Sequence, residues 1–173
     1  MSFVDPNTVQ NPTTGIVAPF GWGDSINAAF NWLRNPKVGC YVTSVTATAI
    51  GTDTALPWGT ETFDVGACHD TVTNTSRITV PTSWGGLWFV GADVAFDANA
   101  GTIEQVWIVR NGTTKITGDT GRPNSTAHVQ AVSVEEIYVM AAGDYFEVWV
   151  TGADARSTAV TSRFYAWWAA SGV

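Results

Sequence analysis

Residues 63–96 read FDVGACHDTVTNTSRITVPTSWGGLWFVGADVAF, and this stretch decides the fold. Its second part, Gly86–Phe96, places Trp88, Val90, Ala92, Val94 and Phe96 in one period-two register. The other register is apolar only at its start, with Leu87 and Phe89, and is polar by Asp93. Successive side chains on a strand point to opposite faces. The pattern therefore predicts an inner strand of a sandwich, fully buried on one face and covered at one end of the other. Trp88 and Phe96 belong to the expected core. Upstream, Ser76-Arg77-Ile78-Thr79-Val80 is a short β-favouring run closed by Pro81, which has no N–H to give to a sheet ladder. Thr82-Ser83-Trp84-Gly85 reads as the turn between the two strands.

Working outward, residues 40–50, 60–65, 101–110, 113–117, 129–140, 145–151 and 158–169 are rich in Val, Ile, Thr and aromatics and are separated by turn residues. Asn111-Gly112 predicts a tight hairpin, since both residues tolerate positive φ. Residues 118–125, with two glycines, Pro123 and Asn124, read as a surface loop. About eight to ten strands with frequent turns and no strand–helix alternation predict an all-β, antiparallel jelly-roll sandwich over residues 37–173. One short helix is expected within residues 22–36: Asp24 or Ser25 can cap it, Ile26, Ala29, Phe30 and Leu33 recur at helical spacing, and Asn35-Pro36 ends it. Residues 1–21 contain three prolines and the apolar residues Phe3, Val4, Ile16, Val17 and Phe20 without any period. Such a segment predicts an extended N-terminal arm that docks on a partner through those five side chains.

Composition bounds the function. A chain of 173 residues is one domain with an arm. The net charge of −7 and only two lysines, Lys37 and Lys115, exclude a phosphate-binding surface, so no nucleic acid is expected as a partner. Neither a secretory leader nor an apolar run of membrane-spanning length is visible, which predicts synthesis in the cytosol and no membrane insertion.

No catalytic residue, metal site or cofactor is expected, and the chain reads as a non-enzyme. His69-Asp70 is the most suggestive pair, yet a loop-stabilising role fits it better than that of a base. Glu135 and Glu136 are neighbours on a strand and face opposite ways, so they cannot flank one glycosidic bond. Gly-rich phosphate loops, Cys-x-x-Cys and Gly-x-Ser-x-Gly are missing. The Asn-x-Ser/Thr triplets at Asn74, Asn111 and Asn124 fit turn chemistry better than glycan acceptors. Cys40 and Cys68 read as buried free thiols, although pairing is left open.

The motifs Phe63-Asp64, His69-Asp70, a strand ending at Pro81, Gly86-Leu87-Trp88, Asn111-Gly112, Ala142-Gly143-Asp144 and the closing run Ser162 to Trp168 occur in a suggestive order. In that order they resemble small jelly-roll domains related to the complement globular head and to tumour necrosis factor, in the versions carried by tailed bacteriophages. Trp88 stands where that pattern usually has Tyr, and the turn at residues 82–85 is slightly longer. The resemblance implies a homotrimeric, noncatalytic virion protein, assembled in the host cytoplasm. It would be a minor tail or fibre-tip protein contacting the host surface, or alternatively a capsid decoration or head-fibre protein held by its arm.

Nine tryptophans exceed what one sandwich core easily absorbs. Trp58 and Trp84, read as loop residues, are candidates for stacking on a host cell-surface glycan. Trp149, Tyr165 and Trp167 are candidate trimer contacts. The arm would bind other virion proteins.

Overall fold

The computed structural model describes residues 38–43, 52–96, 104–121, 130–152 and 162–171. The arm of residues 1–21 and the helix expected within 22–36 lie outside the described residues. Ten strands follow in order. They are β1 (Gly39–Thr43), β2 (Thr54–Ala55), β3 (Thr60–Val65), β4 (Arg77–Thr79) and β5 (Gly86–Phe96). β6 (Glu104–Arg110), β7 (Thr114–Gly121), β8 (Gln130–Met140), β9 (Tyr145–Gly152) and β10 (Arg163–Ser171) complete the set. All pairings among them are antiparallel. One sheet has the order β3-β1-β10-β5-β8; the other runs β2-β9-β6-β7, with β4 also paired to β9. The two sheets close a jelly-roll sandwich, and the described residues contain no helix.

β5 lies between β10 and β8 and pairs with β8 over its whole length, from Gly86↔Met140 to Phe96↔Gln130. Its expected register is the buried one: Trp88, Val90, Ala92, Val94 and Phe96 point into the sandwich. They meet Phe146, Val148 and Val150 of β9 and Val106 and Ile108 of β6 in one core. The Trp88 indole would strand a buried donor there, but its Nε1 donates to the Trp84 carbonyl at 2.9 Å. β4 and β5 are neighbours in sequence but belong to different sheets, so the turn containing Pro81 carries the chain across the sandwich.

Two expectations are corrected. Residues 118–121 are not loop but the end of β7, paired with β6 up to Glu104↔Gly121. Gly, Asp and Thr favour turns in isolation, and the ladder of a long partner strand overrides that preference. β2, at residues 54–55, is a strand not foreseen.

The Asn111-Gly112 hairpin has the expected positive φ values of 51° and 66°. Asp144, in the turn between β8 and β9, ties itself to that hairpin. Its carboxylate accepts from Arg110 Nη2 at 2.7 Å, Asn111 Nδ2 at 2.7 Å and the Ala141 N–H at 2.9 Å. Burial works against the charged form, but these donors outweigh it and hold the Asp144 carboxyl below its ordinary pKa.

Two outcomes follow from this packing. Trp88→Ala should destabilise the domain by about 3–5 kcal/mol through lost burial and a residual cavity, read as a lower denaturation midpoint. A carboxyl with a depressed folded pKa lends stability above its unfolded pKa and loses it as pH falls through the folded value. Asp144→Asn should therefore lower the melting temperature at neutral pH, and its gap from the parent should close as pH falls below about 4. A gap that stays constant in acid would show that the Asp144 charge contributes nothing.

Candidate functional site: an aromatic sheet face

The five-stranded sheet buries Cys40, Val42, Phe164, Ala166 and the inward residues of β5 and β8. Alternation then sends the intervening side chains to the face turned away from the core. The registers align them in rows across the strands. One row runs Val65–Gly39–Trp167–Phe89–Ile137. The next runs Phe63–Tyr41–Tyr165–Gly91–Glu135, and a third Thr60–Thr43–Arg163–Asp93–Ser133. The face thus grades from apolar at one end to charged at the other.

Five rings stack over its centre. Tyr41 lies 6.2 Å from Phe63 and 6.1 Å from Tyr165, centroid to centroid. Tyr165 is 5.3 Å from Trp167, and Trp167 is 4.8 Å from Phe89. No interplanar angle along this ladder exceeds 25°. The Tyr165 ring lies flat over Gly91: a Cβ there would sit 2.5 Å from Cε2 and 2.6 Å from the hydroxyl oxygen. That hydroxyl donates to Glu135 Oε1 at 2.6 Å. Burial first, and then the bond to the Glu135 carboxylate, push the Tyr165 phenol above its ordinary pKa, so it stays a donor. At the charged end Arg163 pairs with Asp93 at 2.5 Å, and Asp93 also accepts from Ser133.

At the other end the apolar surface is open. Among the described residues, four large hydrophobics stand more than a third exposed, and three of them, Val65, Ile137 and Val139, belong to this face. Val65 and Ile137 close the two ends of the row that carries Trp167 and Phe89, and Val139 lies beside Ile137 on β8.

The expected site residues divide between surfaces. Tyr165 and Trp167 share the ladder. Trp149 does not: it lies on β9 in the other sheet, opposite Trp107. Trp58 is not a surface loop residue. It is fully buried, with its ring 5.5 Å from Phe164, and has no face to offer a sugar. Trp84 is half-buried and packs edge-on against Trp168 at 5.0 Å, closing one end of the core. Phe3, Val4, Ile16, Val17 and Phe20 lie outside the described residues.

Sequence missed Tyr41, Phe63, Ile137 and Val139 as members of the ladder face. Each alternates correctly within its own strand, but only strand order puts them side by side.

His69 has no reactive arrangement around it. Its Nδ1 lies 2.8 Å from the Arg77 carbonyl oxygen and its Nε2 3.0 Å from that of Trp58, so both ring nitrogens are committed to main chain. Asp64 accepts from the backbone N–H groups of Cys68 and His69 at 2.9 and 3.1 Å. Asp70 accepts from Val72 N, Thr73 N and the Thr73 hydroxyl. The Thr73 hydroxyl and those backbone donors draw the Asp70 carboxyl down to about 2. Histidine and aspartate each pin the loop, through different partners. Cys40 and Cys68 are free and buried, and burial, followed by Asp64, pushes the Cys68 thiol up to about 12. Thiols held that far from the thiolate are inert.

The sheet order, the register and the single core define a jelly roll of the complement-head and tumour-necrosis-factor kind. Solved structures agree. The chain is similar to the globular domain of zebrafish complement 1qA protein over 79% of its own length and 100% of that chain, with a TM-score of 0.60 and 11% identity. It is similar to murine APRIL at pH 5.0 over 75% of its length and 96% of that chain, with a TM-score of 0.59 and 13% identity. Murine APRIL at pH 8.0 gives a TM-score of 0.57 at 14% identity, with the same coverage. No protein-family profile and no curated protein sequence matches the chain. At these identities the shared property is the fold.

The glycine under the tyrosine gives the face a direct test. Tyr165 cannot swing aside freely, because it is stacked on both sides and bonded to Glu135. Gly91→Ala should therefore destabilise the domain by about 1–3 kcal/mol through overpacking. In a Tyr165→Ala background the same change should cost much less, and a denaturation double-mutant cycle measures the difference. Additive effects would remove the ring-on-glycine contact from the account.

Proposed function

We propose that the chain is a noncatalytic structural protein that assembles as a homotrimer through the aromatic face of its five-stranded sheet, and that it serves in the virion of a tailed bacteriophage as a minor tail or fibre-tip protein contacting the host. The observation that carries this proposal is the ladder of five stacked rings beside the exposed Ile137, Val139 and Val65. Val65 sits at the β3 edge of the sheet and Ile137 and Val139 at the β8 edge. A head-to-tail ring, in which the β8 side of one copy meets the β3 side of the next, covers both ends at once and closes. The number three comes from the motif resemblance, as does the virion setting. The arm, through Phe3, Val4, Ile16, Val17 and Phe20, is proposed as the tether to other virion proteins.

Light scattering across micromolar concentrations should give the trimer mass, and Phe89→Glu, which places a charge at the end of the ladder beside the exposed Ile137, should shift it to monomer. A monomer mass for the parent protein overturns the assembly. Gold labelling of virions should place the protein at the tail tip. Label on the head would give it to capsid decoration, and the lack of label on any particle would end the virion role.

A further inference from the structure

We propose that Asn111 is a site of spontaneous chemical modification, conversion to aspartate or isoaspartate, and that the Asp144 carboxylate holds this site closed in the folded chain. Asparagine is among the chemically labile residues, and a following glycine hinders the reaction least, because the attacking main-chain nitrogen then belongs to a residue without a Cβ. Asn111-Gly112 is such a pair, in the turn between β6 and β7. Both residues are half-buried and Thr113 and Thr114 beyond them are exposed, so water reaches the turn. The reaction is a ring closure followed by a hydrolysis. The Gly112 nitrogen loses its proton to base and attacks Asn111 Cγ; a new N–C bond forms, the Cγ–Nδ2 bond breaks, and Nδ2 takes up a proton and leaves as ammonia. One water then opens the five-membered imide. Cleavage at Cγ restores the ordinary main chain with an aspartate side chain, and cleavage at the main-chain carbonyl leaves isoaspartate. Water is the one co-reactant, and nothing is oxidised or reduced.

Ring closure requires the carboxamide to turn onto the Gly112 nitrogen and its own nitrogen to depart. Both of its polar atoms are held elsewhere. Nδ2 donates to Asp144 Oδ1 at 2.7 Å, and Oδ1 accepts from the Tyr145 N–H at 3.0 Å. The Asn111 main-chain N–H donates to the Tyr145 carbonyl at 3.0 Å, so side chain and main chain are tied to the same segment. Asp144 is anchored in turn by Arg110 Nε and Nη2 and by the Ala141 N–H. Moving the carboxamide thus breaks two hydrogen bonds before any chemistry begins, one of them to a charged acceptor. The departing nitrogen must also gain a proton, and Asp144, ionised despite its burial because of those donors, has none to give. Modification destroys the clasp that delays it. A carboxylate in place of the Asn111 amide faces the Asp144 carboxylate where a donor stood at 2.7 Å, and like charges at that range repel. Isoaspartate adds an atom to the main chain of a turn that depends on φ values of 51° and 66°. Either product loosens the two turns that Asp144 joins, one between β6 and β7 and the other between β8 and β9.

The test incubates the full chain in mildly alkaline buffer, one sample folded and one unfolded in urea, and follows the peptide containing Asn111 by mass spectrometry. That peptide should gain the mass of an amide-to-acid exchange about tenfold or more slowly in the folded chain than in the unfolded one. Asp144→Ala, checked by circular dichroism to be folded, should remove most of that difference. A second measurement reads the product directly. Asn111→Asp should melt below Asn111→Gly at neutral pH, since glycine accepts the same φ and adds no charge. Where Asp144→Ala fails to fold, the folded-against-unfolded rates of the parent and the order of those two melting temperatures decide. The proposal is overturned if folded and unfolded chains convert at one rate, if folded Asp144→Ala converts as slowly as the parent, or if Asn111→Asp melts no lower than Asn111→Gly.

Discussion

Strand β5 is hydrogen-bonded on both sides, to β10 and to β8, and its two faces make opposite demands. Inward, Trp88, Val90, Ala92, Val94 and Phe96 must fill the space between the sheets at crystal-like density. Outward, Phe89 must join a ladder of rings, and Gly91 must be empty enough for Tyr165 to lie on it. Ladder and core therefore share a strand, and a change on one face is felt on the other through the backbone they have in common. The same device recurs in the second sheet, where Trp107 lies over Gly118. In both places a ring shelters the backbone of a glycine on the next strand, which offsets the loss of side-chain packing that a glycine brings to a sheet.

Much of this was legible in the chain. Gly86–Phe96 declared its period, its burial and its inner position, and the strand has those bounds. Thr60–Val65 and the Asn111-Gly112 hairpin were equally plain, because pattern and turn chemistry are local properties. The misses are nonlocal. Residues 118–121 look like loop by composition, and only β6 makes them strand. Trp58, between Pro57 and Gly59, reads as a tip residue. It is buried because its N–H donates to the Thr75 carbonyl at 2.9 Å, and because its own carbonyl oxygen lies 3.0 Å from His69 Nε2. Those contacts pull the segment down onto Phe164. Trp149 was grouped with Tyr165 and Trp167 by residue type, whereas strand order separates β9 from β10 into different sheets. Period within a strand tells in from out; it does not tell which outside.

That distinction matters because the two outer faces differ in kind. The ladder face has open aliphatic residues at its edges, and the polar groups described on it, Arg163, Asp93, Ser133 and Glu135, gather at one end. In the proposed assembly an asymmetric gradient of this sort would fix the direction in which a second copy sits. Sliding a neighbour along the strands would bring its charged row over the rings and take the Arg163–Asp93 pair out of water against an apolar surface. The tryptophan face has no such gradient. Two ion pairs stand there, Arg77–Glu147 beside Trp149 and Lys115–Asp53 beside Trp107.

With only 13% charged residues, the chain cannot keep its copies apart by charge density alone. In the proposed assembly the few charges it has would decide register, and the aromatic surface would make the contact. Arg163 and Asp93 would set that register from the end of the ladder. Lys115 and Asp53 pair with each other beside Trp107, with the Lys115 ammonium over that ring 4.7 Å from its centre. Both sheets thus carry aromatic rings outside the core, and what distinguishes their outer faces is where a few ion pairs stand and not the number of tryptophans.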